Sequence, residues 1–140
     1  MGQVRQLEII APRQGLFDIT DRVAAVVAGA GLAEGLCTVF VRHTSASLTI
    51  QENADPSARR DLEAWLDRLV PEGDPLYTHT AEGPDDMPAH IKAILTSTSL
   101  SIPVVEGRLG LGTWQGIYFC EFDGPRRRQL IVKVIPDAQN

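Results

Sequence analysis

The 140-residue chain predicts an α+β fold: a single domain, residues 1–140, with a largely antiparallel or mixed sheet carrying about three helices. Three observations point there. Period-two alternation of apolar and polar residues recurs in short runs along the chain. Three other segments place apolar residues at helical spacing behind a capping residue. The two kinds of segment mix without the regular rhythm of βαβ units.

In order along the chain, residues 3–10 form a first strand, closed by Pro12. Thr20 is placed to cap a first helix, because Val23, Val26, Val27 and Ala30 follow at helical spacing and Gly29 and Gly31 stop it. Strands are expected over 36–43 and 47–52. Asp55 and Pro56 start a second helix, the one as cap and the other at the first helical position, and Leu62, Trp65, Leu66 and Leu69 make its apolar stripe. A third helix is expected over 87–97 with Asp86 as its cap. The rest reads as antiparallel strands over 99–106, 108–114, 116–122 and 129–135, turning at Gly107 and at "DGPR".

A hydrophobic fraction of 44% and a charged fraction of 22% suit a globular domain with its own core. The net charge of −5 argues against a nucleic-acid partner, which needs a basic field, but leaves room for a small phosphorylated compound held by a few local cations. No run is long and apolar enough to span a bilayer, and the N-terminal residues lack a signal-peptide core, so the expected location is the cytoplasm. Cys37 and Cys120 fall in apolar strands and read as reduced, buried thiols.

The stretch "VRHTSASLTIQENADP" concentrates the candidate chemistry. His43 continues the apolar phase of Cys37, Val39 and Val41, followed by small residues and then Glu52, Asn53 and Asp55. Asp55 has a sufficient role as a helix cap. Glu52 shares the phase of Leu48 and Ile50, an inward position where a carboxylate needs a partner, and it is the candidate general base. Glu121 raises the same question beside Ile117 and Phe119. His43, His79 and His90 show no local metal-binding spacing, but three half-buried imidazoles could converge as metal ligands with an open fourth position. Each taken singly reads as a hydrogen-bonded structural or surface histidine rather than a ligand.

"GRLGLGTWQG" fails as a dinucleotide fingerprint, since a strand and not a helix follows it, and no nucleotide cofactor is expected. Ser45 and Ser47 lack a nucleophile elbow. Arg126, Arg127 and Arg128 form a compact basic run, either a solvated turn or an anion-binding rim, and Lys92 on the His90 helix is a further cation.

"HTSASLTIQENADP", "AHIKA" and "LGTWQGIYFCEFDGPR", in that order, resemble the YjbQ-like family of small proteins over residues 17–135. The resemblance implies an α+β fold, a homotrimer and a weak, secondary thiamine-phosphate synthase activity, in which a pyrimidine-methyl diphosphate is joined to a thiazole phosphate. The family's motif positions correspond here to His43, Thr44, Glu52, Asn53, Asp55, His79, His90, Lys92, Trp114, Gln115, Glu121 and Arg126. Many members carry Thr-Ala-Ala at Ser45-Ala46-Ser47 and Asn at Gln51, positions that leave the imidazoles and carboxylates untouched.

Together these readings give a histidine-lined pocket that binds a divalent metal ion, zinc or magnesium, or a phosphate. His43, His79 and His90 would be its metal ligands, and Glu52, His43, Lys92 and Arg126 its catalytic groups. Asn53 and Gln115 would be its cofactor-binding residues. A three-histidine site suits zinc better than magnesium, so a metal-assisted hydrolase stands beside the synthase. A non-catalytic trimeric binding module is the contrasting reading.

Overall fold

A computed structural model describes residues 2–138. Eight strands and three helices follow one another as β1 (Gln3–Ala11), β2 (Gly15–Asp18), α1 (Thr20–Ala30), β3 (Gly35–Val41), β4 (Ala46–Glu52), α2 (Pro56–Leu69), α3 (Asp86–Leu95), β5 (Ser99–Val105), β6 (Arg108–Leu109), β7 (Gln115–Glu121) and β8 (Arg126–Pro136). A five-stranded sheet has the order β1-β8-β3-β5-β6 and a three-stranded sheet the order β2-β7-β4. Every strand pairing is antiparallel, as the α+β reading requires.

The two sheets face each other. Alternate residues of β8 (Leu130, Val132, Val134) and β3 (Cys37, Val39, Val41) meet Leu48, Ile117 and Phe119 of the smaller sheet, and Val23, Val26 and Val27 of α1 complete this core. The other face of the smaller sheet, with Leu16, Tyr118, Cys120 and Phe122, is covered by Leu62 and Leu66 of α2 and by Ala89 and Ala93 of α3. β7 is therefore buried on both faces, and this layering packs α3 against the side chains at the end of β7. Cys37 and Cys120 are free, buried thiols, pushed up by burial to about 11 and about 12.

One buried ion pair joins the sheets. Arg128 of β8 donates from Nε to Glu121 Oε1 at 2.8 Å and from Nη2 to Glu121 Oε2 at 2.5 Å. Nη2 also meets Ser45 Oγ at 2.9 Å, and the Asp123 amide donates to Glu121 Oε2 at 3.1 Å. Glu121 thus has the inward place its phase predicts, with its charge compensated and its oxygens satisfied.

Local differences from the sequence reading have local causes. α2 begins as expected, with Asp55 Oδ1 accepting from the Ser57 amide at 2.9 Å and Pro56 in the first turn. Thr20 is not a cap: Ile19 holds that position, and the Thr20 hydroxyl donates to Asp18 and accepts from the Ile117 amide. α1 does end at Gly31, in the left-handed conformation glycine tolerates. Asp85 and not Asp86 holds the N-cap position of α3, without a side-chain cap hydrogen bond, and the helix stops at Leu95 because Ser97 exchanges backbone hydrogen bonds with Leu48. The four-residue β2 is absent from the sequence reading, being too short to show a period. The expected strand over 108–114 shrinks to Arg108–Leu109. Beyond it Gln115 Oε1 takes the Gly112 amide and turns the chain.

Replacing one member of the buried pair strands the other charge. Glu121→Gln is expected to lower unfolding free energy in urea titration by about 3–5 kcal/mol, and the double variant Glu121→Leu/Arg128→Met by less. A larger loss in the double variant would refute a net charge penalty as the cause.

Candidate metal centre

α3 opens with the sequence "DMPAH", which sets Asp86 and His90 four residues apart on one helical face. The connection between α2 and α3 carries His79 over the same face. His79 Nε2 lies 2.7 Å and His90 Nε2 3.1 Å from the same oxygen, Asp86 Oδ2. The two imidazole rings are 5.4 Å apart. One donor atom from each of His79, Asp86 and His90 lies within 4.8 Å of the others. A tetrahedral zinc ion with bonds of about 2.0–2.1 Å separates its ligand atoms by about 3.3 Å, close to these spacings.

The second nitrogen of His90 is already committed. Its Nδ1 donates to the Thr44 carbonyl at 3.0 Å, since a carbonyl can only accept. This outer contact fixes ring and tautomer and leaves Nε2 aimed at the carboxylate.

Asp86 is only 3% exposed. Burial alone would raise its pKa, but hydrogen bonds from Asp123, His79 and Glu82 and the His90 charge outweigh it and bring the group down to about 2. Asp123 goes the other way, to about 6, through burial first and then its shared hydrogen bonds with Asp86 and Asp85, against the pull of Arg126. The two carboxyls are thus pushed apart, Asp86 toward the more acidic side and Asp123 toward the less. Arg126 is anchored at this edge, its Nε on the Asp123 carbonyl and its Nη2 on Asp123 Oδ2, both at 3.0 Å.

The structure brings together two of the three histidines and leaves His43 in another role. His43 lies just beyond β3, and its Nε2 accepts the Gln129 amide at 2.8 Å, so the cluster holds two of the three expected imidazoles together with Asp86. Glu52 is not the inward base its strand phase predicts. β4 outruns the core at its end, where Gln51 and Glu52 are both exposed, and Glu52 stands about 20 Å along the strand from Ala46. Asn53 and Gln115 accompany it there, the Asn53 amide on the Trp114 carbonyl and Asn53 Nδ2 on the Gln115 carbonyl. Lys92, two residues past His90, points about 200° around the helix. Its buried ammonium meets Asp67 at 2.6 Å and lies over the Phe122 ring, so it clamps α3 to α2 and does not face the centre. The sequence reading missed Asp86 as a member of this cluster, having assigned it to capping, and missed Asp123; the Asp-x-x-x-His spacing was the available signal for the first.

The family model described as "UPF0047 protein YjbQ-like" matches residues 5–137. The chain belongs to the YjbQ family. A Synechocystis relative, "UPF0047 protein sll1880", is 52% identical over 134 residues, covering 94% of this chain and 91% of its own. The crystal structure of a YbjQ-like protein of unknown function from Sulfolobus solfataricus superposes with a TM-score of 0.89 at 28% identity, over 98% of this chain and 99% of that one. A YjbQ/UPF0047 family protein from Clostridium acetobutylicum, 44% identical, gives 0.87 over 94% and 99%. The YjbQ-like fold and its α+β class thus agree with the sequence reading.

Burial first, and then the Arg128 guanidinium, hold the His43 pKa below its ordinary value, in keeping with a neutral acceptor at Nε2. A depressed imidazole contributes its stability above the unfolded pKa and loses it as pH falls through the folded one. Wild type should therefore lose urea-midpoint stability relative to His43→Gln between pH 8 and pH 5, with the change setting in below about 6.5. A pH-independent difference would show that His43 does not titrate on unfolding.

Proposed function

We propose that the chain is a small enzyme whose His79–Asp86–His90 centre holds a divalent metal ion, zinc in the first place, and acts on a small phosphorylated compound. The carrying observation is at His90. With Nδ1 given to the Thr44 carbonyl, Nε2 can face the Asp86 carboxylate only through a second proton or through a cation. A buried carboxylate in the cluster also favours a cation there over a phosphate. Two nitrogens and an oxygen suit zinc, whereas magnesium prefers oxygen alone.

A bound zinc ion would supply Lewis acidity and lower the pKa of water. The chain's own residues supply the rest. Asp123 holds Arg126 by two hydrogen bonds, and the remaining guanidinium N–H groups can meet anionic oxygens of the substrate. The synthase activity implied by the resemblance needs cations that take up charge as pyrophosphate departs, a role that suits Arg126 and not the turned-away Lys92. A metal-assisted hydrolase suits the same donor set. A non-catalytic binding module is favoured by one observation, the placement of Glu52 far from the centre.

Among the described residues no helix is long and apolar enough to cross a membrane. Two buried free thiols accord with a cytoplasmic setting, which we retain as part of the proposal. We retain the homotrimer also: the outer face of the five-stranded sheet exposes Val4, Leu36 and Ile135, the last two directly paired, as an apolar surface for a second copy.

Elemental analysis of tag-free protein tests the centre. Wild type and His43→Ala should each hold about one zinc per chain, while His79→Ala, Asp86→Asn and His90→Ala should lose it with circular dichroism unchanged. Metal-free wild type, even after zinc is added back, would sink the proposal. For the assembly, light scattering should give three times the chain mass, falling to one in Leu36→Glu/Ile135→Glu; a monomeric wild type would exclude the trimer.

A further inference from the structure

We infer that the groove between the end of β3 and the outer face of α3, running up to the metal centre, binds the apolar body of an organic anion whose charged group reaches that centre. The inference rests on the metal reading above and adds the kind of substrate the site takes.

Ile94 follows His90 by one helical turn, so the two side chains share a face of α3. Ile94 is 80% exposed, and Phe40 across the groove is 44% exposed. A single exposed apolar side chain is ordinary on a protein surface. Here two large ones border the same concavity, whose wall continues through His90 into the cluster of donor atoms. The groove measures about 570 Å³, within the range of small-molecule sites.

Its few polar groups favour an anion. Arg42 is an exposed cation on the groove. His43 accepts a backbone amide at Nε2, so its neutral ring carries the proton on Nδ1 and offers a donor. Apolar walls with a small number of placed polar groups are the usual make-up of a site for a small organic ligand. A second copy needs about 800 Å² of matching surface on each partner, which a broad sheet face supplies and a narrow concavity does not. The occupant is accordingly a small molecule: one ring or a short branched chain bearing a phosphoryl or carboxyl group.

The test uses zinc-loaded full-length protein, titrated calorimetrically with methylphosphonate and with benzylphosphonate. Zinc content and assembly mass are measured on the same samples. Benzylphosphonate should bind wild type about tenfold or more tightly than methylphosphonate. Ile94→Ser should remove most of that gap and leave methylphosphonate affinity, zinc content and mass unchanged; the exposure of Ile94 makes a folding failure no obstacle. Equal binding of the two probes, or binding of neither, by zinc-replete protein would overturn the groove while the centre stands. A wild type unable to hold zinc would overturn the centre and this inference with it. A change of assembly mass in Ile94→Ser would assign the groove to contact between copies and overturn it too.

Discussion

The Glu121–Arg128 pair is the constraint on which this end of the molecule depends. Its two charges come from different sheets, and neither has water to fall back on. A buried pair of this kind is weak evidence for net stability, because desolvation offsets much of the attraction. What it does supply is register. β7 and β8 belong to different sheets, and Glu121 and Arg128 meet where those sheets close, with Ser45, just before β4, completing the guanidinium's partners. Slippage by one residue would turn both charges to the wrong face.

That register is transmitted directly to the candidate centre. Asp123 follows Glu121 by two residues and gives it a backbone amide, and Arg126 precedes Arg128 by two. The corner between β7 and β8 is therefore held at both ends by one ion pair, and its intervening side chains, Asp123 and Arg126, are delivered to the edge of Asp86. The opposite wall has a different anchor. Lys92, bound to Asp67 over Phe122, fixes α3 from behind, so the face carrying Asp86 and His90 is set by a contact on the far side of the helix. Two clamps thus position the site, and of their buried members, Glu121, Arg128 and Lys92, only Glu121 was recognisable as inward-facing from its strand phase.

The legibility of the chain follows from how much of each element's cause is local. α2 could be read because its start is a cap followed by proline and its stripe is regular. β2 could not, because four residues become a strand only by pairing with β7. Glu52 misled because alternation continues in sequence past the point where there is a core to face. Asp86 misled for the converse reason: an acidic residue at a helix start has a cheap local explanation, but Asp85 holds the N-cap position and neither side chain caps the helix. The meeting of His79 with Asp86 depends on the path of the connection between α2 and α3, which has no periodicity to read.

The residues at and beside the centre are each placed where local rules are not followed. Asp86 is a buried carboxylate at a helix start that caps nothing. Asp123 is a second acid set against it, a contact that costs free energy while both are ionised. Ile94 leaves its apolar side chain in solvent one turn from His90. A fold that satisfies its interior as fully as the Glu121 network does would not need any of these, and natural sequences keep such departures where they bind something. A cation shared by His79, Asp86 and His90 would resolve the first two together, since it replaces protons at the ring nitrogens and neutralises the pair of acids. The third is resolved by an apolar ligand body lying against α3. The cation and an organic anion bound to it, apolar at its far end, would together account for the three departures.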